Sequence, residues 1–144
     1  MMKGGVFAMR QPVLLCYNLK DESFRKVRLA AMRFKIRIRP VSPSEYGETL
    51  AALCGMEPPA GLPAPGTFAD EMLVMAHLSS LQASQFLQSL RRLGVPPIAL
   101  KAMLTPTNCE WNSLTLHNEI SSEHAALEAG KQAVHSAPDT SAES

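Results

Sequence analysis

Most of the usual markers of chemical function are missing from this chain. It contains neither GxGxxG nor GxxxxGK[ST], so the two glycine-rich loops that wrap a phosphate are absent. There is no GxSxG around a nucleophilic serine and no acidic cluster placed to hold a metal at a strand end. Cysteine is scarce, and Cys16, Cys54 and Cys109 are scattered with no CxxC or metal-ligand spacing. That pattern argues against a disulfide framework and fits a reducing compartment, where a thiol serves as a small apolar side chain. No apolar run is long enough for a signal peptide or a membrane span, so a cytoplasmic location without membrane contact is expected. The formal net charge is +1, too small to direct the whole molecule toward any partner. Aromatic residues make up 6% of the chain and form no base-stacking pattern of the RNP type, which argues against specific nucleic-acid recognition. Neither metal nor cofactor is expected.

At 144 residues the chain has the length of one domain. Residues 13–17 (VLLCY) and 72–76 (MLVMA) are apolar throughout, as strands covered on both faces must be. After the first strand, Phe24, Val27, Ala31 and Phe34 recur at helical intervals. Ile36 and Ile38 then alternate with Arg37 and Arg39, which predicts an edge strand. Ser42-Pro43-Ser44-Glu45 is a capping box that predicts a helix over residues 42–55, with Gly55 as its stop. Ser79 with Gln82 opens another helix, lined by Phe86, Leu90 and Leu93 and ended by Gly94. A strand over residues 98–104 follows, and Thr107 with Glu110 is expected to cap a last helix carrying Trp111, Leu114 and Ile120. The proline-rich stretch 57–68 can be neither helix nor inner strand and reads as a long surface loop. The expected organisation is a flexible leader over 1–11, a single α/β domain over 12–126 and a disordered tail over 127–144.

The two halves echo each other. A shift of 59 positions lays apolar residues 14, 15, 19, 27, 31 and 34 on apolar residues 73, 74, 78, 86, 90 and 93. After a four-residue insertion, Ser42-Pro43-Ser44 falls on Thr105-Pro106-Thr107. The fold expected is α/β: a duplicated β-α-β-α plan with a four-stranded, mainly parallel sheet in the order 2-1-3-4 and helices on both faces. In it strands one and three run parallel; a ferredoxin-like α+β arrangement is the alternative.

The segment Glu71-Met72-Leu73-Val74-Met75, the run Leu100-Lys101-Ala102 with Leu104-Thr105-Pro106-Thr107-Asn108, and Trp111 resemble a family of small bacterial proteins catalogued as a domain of unknown function. VLLCYN near the start resembles it too, while the first helix is richer in arginine than the family leads one to expect. The resemblance implies a domain identity and no catalytic residue.

Candidate site residues come from the strand ends. In an all-parallel sheet Asn18 and His77 flank the point where strand order reverses, with Ser42 beside the first and Thr105, Thr107 and Asn108 beside the second. These hydroxyls, amides and helix starts suit a small anion, although plain helix capping needs the same residues. Lys101, inside an apolar strand, is expected to be buried and paired with Glu71. Residues 20–39 hold eight cations against Asp21 and Glu22, a net of +6, and the basic strip within them runs from Arg25 to Arg39. Sequence therefore favours a non-catalytic binding or regulatory module for a small anion or a protein partner. A small enzyme using polar groups at the carboxyl edge, or weak nucleic-acid binding through the strip, are the alternatives.

Overall fold

A computed structural model describes residues 10–136, with side chains through residue 130. The expected leader therefore falls almost wholly outside the described residues. Strands β1 (Val13–Tyr17) and β3 (Met72–Ala76) form the centre of a four-stranded sheet ordered β2-β1-β3-β4, flanked by β2 (Arg37–Pro40) and β4 (Leu100–Met103). Every residue of β1 and β3 is buried. A Val, Leu or Met side chain so placed contributes roughly 1.5–3 kcal/mol, which is why the two all-apolar runs take the inner positions.

Helix α1 (Asp21–Phe34) and α3 (Ser80–Arg92) cover one face. There Val27, Ala30, Ala31, Phe86 and Leu90 pack on Leu14, Cys16, Leu73 and Met75. The opposite face, built on Val13, Leu15, Tyr17, Met72 and Val74, is covered by Tyr46, Leu50, Leu53 and Leu116. These come from a 3-10 turn at Pro43–Glu45, from α2 (Leu50–Leu53) and from α4 (Ser113–Ser136); a second 3-10 turn spans Asn108–Glu110. The fold is thus α/β with helices on both faces in the expected strand order.

One expectation about direction fails. The outer pairs β1–β2 and β3–β4 are parallel, but the central pair β1–β3 is antiparallel, with Val13 opposite Ala76 and Tyr17 opposite Met72. The predicted helix over 42–55 is the element expected to carry the chain back for a parallel return. Instead the chain breaks after Glu45 and resumes only as the four residues of α2, about 6 Å of helix against about 17 Å of strand. The ferredoxin-like alternative does not form either, because β2 and β3 are not neighbours.

The break has a local cause. A side chain on Gly47 would run into the backbone carbonyls of Pro63 and Leu62, the latter 2.7 Å away, so the proline-rich loop lies directly on this residue. Beside it the buried Glu48 carboxylate accepts hydrogen bonds from Ala60 N and Gly61 N, both at 2.7 Å. The loop is on the surface, as expected, but latched. The last helix differs as well. Asn112 Oδ1 receives Thr115 N at 2.8 Å at its start, not Thr107 with Glu110, and α4 runs on to Ser136 where a tail from residue 127 was expected. Residues 137–144 lie outside the described part.

Several contacts recur at fixed offsets. Ile36 N donates to Ala31 O and Val95 N to Leu90 O; Val41 N donates to Cys16 O and Leu104 N to Met75 O. Thr49 Oγ1 receives Ala52 N just as Asn112 receives Thr115 N, and Thr49 and Asn112 bridge each other. Left-handed backbone appears at Asn18 and His77, and at Lys35 and Gly94, each pair 59 residues apart.

Candidate functional site

Because β1 and β3 run in opposite directions, their carboxyl ends lie at opposite edges of the sheet. The single crevice expected between Asn18 and His77 is therefore two places. Ser42 does stand on the Asn18 side, and Thr105 with His77 on the other, but the two groups never meet.

The Asn18 edge is closed by the protein itself. Asn18 Nδ2 faces Phe68 O and Asp70 O, both at 3.0 Å, and Tyr46 Oη at 3.3 Å, so its two hydrogens are shared among three acceptors. This ties the end of β1 to the loop entering β3. The Phe68 ring then stacks on Tyr46, with centroids 4.6 Å apart, and on His117 at 4.0 Å. Ser42 N donates to Glu45 Oε1 at 3.0 Å, while Arg39 grips both Glu45 oxygens at 3.1 and 2.8 Å. That guanidinium, aided by Ser42, holds the Glu45 carboxyl down at about 2. Below the surface, Tyr17 Oη meets the fully buried Ser113 Oγ at 2.7 Å.

His117 Nε2 lies 2.9 Å from Asp70 Oδ2 and 3.4 Å from Ser121 Oγ. Serine, histidine and aspartate together suggest a relay, but both partners meet the same ring nitrogen. A relay needs one partner on each nitrogen, so the cluster is a clasp between α4 and the loop before β3.

The His77 edge is open. A pocket of about 430 Å³ is lined by Met56, His77, Leu78, Leu104, Thr105, Pro106 and Cys109. Thr105 and Asn108 cap each other, Asn108 N to Thr105 Oγ1 at 3.0 Å and Thr105 N to Asn108 Oδ1 at 2.8 Å. Asn108 Nδ2 also donates to Met103 O at 3.0 Å, which makes the buried Asn108 a brace for the turn. Thr107 is exposed and leaves its 3-10 turn without a side-chain cap. Burial, and then the charge of Arg10, holds the His77 imidazole below its ordinary value. The Arg10 Nε is buried without a hydrogen-bond partner, and its Nη1 reaches Gly55 O at 3.5 Å. Cys109, half-buried, points its thiol at Pro106 O at 3.3 Å. Burial raises the other two thiols, Cys16 to about 12 and Cys54 to about 11.

The expected Glu71–Lys101 ion pair does not form. Glu71 Oε2 accepts from Lys20 N at 3.1 Å, at the start of α1, where a carboxylate also suits the helix dipole. Lys101 is exposed and donates to Ile98 O at 2.6 Å; β4 is an edge strand, and its outward side leaves an ammonium in water. The basic strip is divided too. Arg37 and Arg39 pair with Val13 and Leu15 on the α2 side of the sheet, whereas Arg25, Lys26 and Arg33 ride on α1 across it. Among the described residues no three His, Cys, Asp or Glu side chains are grouped to hold a metal, and no helix is long and apolar enough to cross a membrane.

Sequence reading gave no role to Arg10, Met56, Phe68, Asp70 or His117. Only the 59-residue offset held a clue, since it lays the turn after β1 on the turn after β3. No curated protein and no solved structure matches the chain. Residues 71–127, from the residue before β3 into α4, match the model of a family described as a domain of unknown function (DUF3783).

Proposed function

We propose that the chain is a non-catalytic binding or regulatory module, a duplicated β-α-β-α unit working in the cytoplasm, whose ligand site is the pocket at the His77 edge. The observation that carries this reading is the pocket itself: about 430 Å³, largely apolar, with Thr105, His77 and Cys109 as its polar members. That volume is within the range of small-molecule sites, and a few fixed polar groups on apolar walls are what such sites require. No carboxylate lines it, and Arg10, whose Nη1 reaches Gly55 O beside the lining residue Met56, brings a positive charge near, which supports a small ligand bearing negative charge. The free thiols Cys16, Cys54 and Cys109 support the reducing location. The polar groups of the Asn18 edge serve as scaffold, because each already has a partner within the chain.

The test is a titration of the full chain with phosphate, simple carboxylates and common nucleotides, followed by backbone amide NMR shifts. Shifts gathered at residues 56, 77–78 and 104–109 are expected. Shifts confined to the Arg25 to Arg39 segment, or none at any concentration, would overturn the reading.

A further inference from the structure

We infer that the groove between α1 and α3 binds a phosphate group through Arg33, Arg92 and the buried hydroxyl of Ser89. This site shares no residue with the pocket at the His77 edge and stands independently of it.

The sequence builds the groove from two matching stripes. Glu22, Lys26, Leu29 and Arg33 recur on α1 at intervals of four, three and four, and Leu81, Gln85, Gln88 and Arg92 repeat those intervals on α3, 59 positions later. Residues so spaced share one face of a helix. The two helices pack side by side, with Phe34 meeting Phe86 edge to face at 5.8 Å. Members of both stripes then line one pocket of about 410 Å³: Arg33 with Phe34 from α1, and Gln85, Gln88, Ser89 and Arg92 from α3. One guanidinium from each half of the chain thus reaches the same space.

An arginine in the last turn of a helix offsets the helix dipole, and that accounts for each cation singly. It does not account for two of them in a pocket that no carboxylate lines. Helix α3 has no acidic residue, and the acids of α1 lie in its first turn, where Lys26 approaches Glu22 at 3.5 Å. Two guanidinium ions sharing a pocket repel each other until an anion lies between them.

Ser89 is a second and separate observation. It is 7% exposed and lines the pocket, yet among the described residues its hydroxyl has no hydrogen bond. Packing asks only for a small side chain there, since the position 59 residues earlier is the buried Ala30. A buried hydroxyl costs free energy unless something bonds it. Around it the exposed side chains of Arg33, Arg92, Gln85 and Gln88 likewise have no partner among the described residues.

This donor set selects the anion. A guanidinium presents paired N–H groups that match two phosphate oxygens, and the amides and the hydroxyl add single donors. A phosphate monoester brings about two charges and three acceptor oxygens at neutral pH, against the single charge of a carboxylate. The volume leaves room beside the phosphate for the group that carries it, with Phe34 as an apolar wall.

The probes are inorganic phosphate, methyl phosphate and acetate, titrated into the full chain at constant ionic strength, with backbone and side-chain NMR shifts as readout. Saturable shifts at residues 33–34 and 85–92 are expected from the phosphates and not from acetate. Arg33→Gln and Arg92→Gln should each weaken phosphate binding at the groove at least about tenfold, as loss of a charge-assisted hydrogen bond requires. Ser89→Ala should weaken it about fivefold and still fold, because alanine holds the matching place in the first half. Shifts at residues 56, 77–78 and 104–109, read in the same spectra, should survive in all three variants, so either site can fail alone. Saturation by both phosphates supports an ester as the ligand; saturation by inorganic phosphate alone supports the free ion. An equal response to acetate, or shifts unchanged in both arginine variants, would overturn the inference. Silence of the groove toward both phosphates would overturn it too, and shifts there from a single-stranded oligonucleotide would then mark a polyanion surface instead.

Discussion

Replacing Glu48 by alanine should free the proline-rich loop and lower stability by about 2 kcal/mol. The carboxylate accepts two backbone N–H groups at 2.7 Å, and hydrogen bonds to a charged group contribute roughly 1.5–3 kcal/mol each. Here each bond is taken at the roughly 1 kcal/mol of an ordinary hydrogen bond, because Ala60 and Gly61 are exposed and their amides recover water once the carboxylate is gone. For a chain of this length that corresponds to a fall in Tm of about 6–8 °C. Urea unfolding with an unchanged slope would give the stability, and hydrogen exchange at amides 60 and 61 would report the latch directly. Glu48→Gln, which keeps one acceptor oxygen, should fall between. The reasoning is refuted if Glu48→Ala unfolds at the wild-type midpoint, or if both amides stay protected in it.

Gly47→Ala should also destabilise, by at least about 2 kcal/mol, because the new methyl meets fixed carbonyls at residues 62 and 63. Its cost should shrink in the Glu48→Ala background, where the loop can move away; a double-mutant cycle by urea unfolding measures that coupling. The Arg39–Glu45 pair should add stability above the ordinary carboxylate value and lose it as pH falls toward about 2, the folded-state value of Glu45. Comparing the acid limb of the stability curve with that of Glu45→Gln checks this, the variant lacking that part of the slope. Tyr17→Phe should cost about 1–3 kcal/mol because it strands the buried Ser113 hydroxyl, whereas the double change with Ser113→Ala should recover part of the loss. Iodoacetamide should label Cys109 well before Cys54 and Cys16, whose thiols are buried and raised; equal rates by mass spectrometry would contradict the burial.

What could be read from sequence was whatever periodicity and composition control. VLLCY and MLVMA declared themselves as inner strands, and the spacing of Phe24, Val27, Ala31 and Phe34 found α1. Ser79 with Gln82 forms its reciprocal cap at 2.8 and 3.1 Å, as its spacing requires. The direction of β3 was not legible. It depends on where the chain re-enters the sheet, and that is set by contacts distant in sequence: Asn18 with the loop at 68 and 70, and Glu48 with residues 60 and 61. The candidate site inherited the error. Thr105 was rightly placed beside His77, but pairing either with Asn18 required a parallel centre. Lys101 misled for a related reason: a strand that reads as apolar was taken to be enclosed, while its place at the sheet edge leaves one side to water.

The antiparallel seam has a consequence for any polypeptide that holds only one half. Residues 71–127 on their own would present β3 with a full row of free backbone donors and acceptors on the side that β1 occupies here. That row is made of the most apolar residues in the segment, and such an edge invites another strand. In the intact chain Leu15 faces Val74 at the middle of the seam. Two half-length molecules set Val74 against Val74 would rebuild the same four strands, with a true two-fold axis through the pair. A freestanding half is therefore expected as a homodimer, its halves held strand to strand rather than helix to helix.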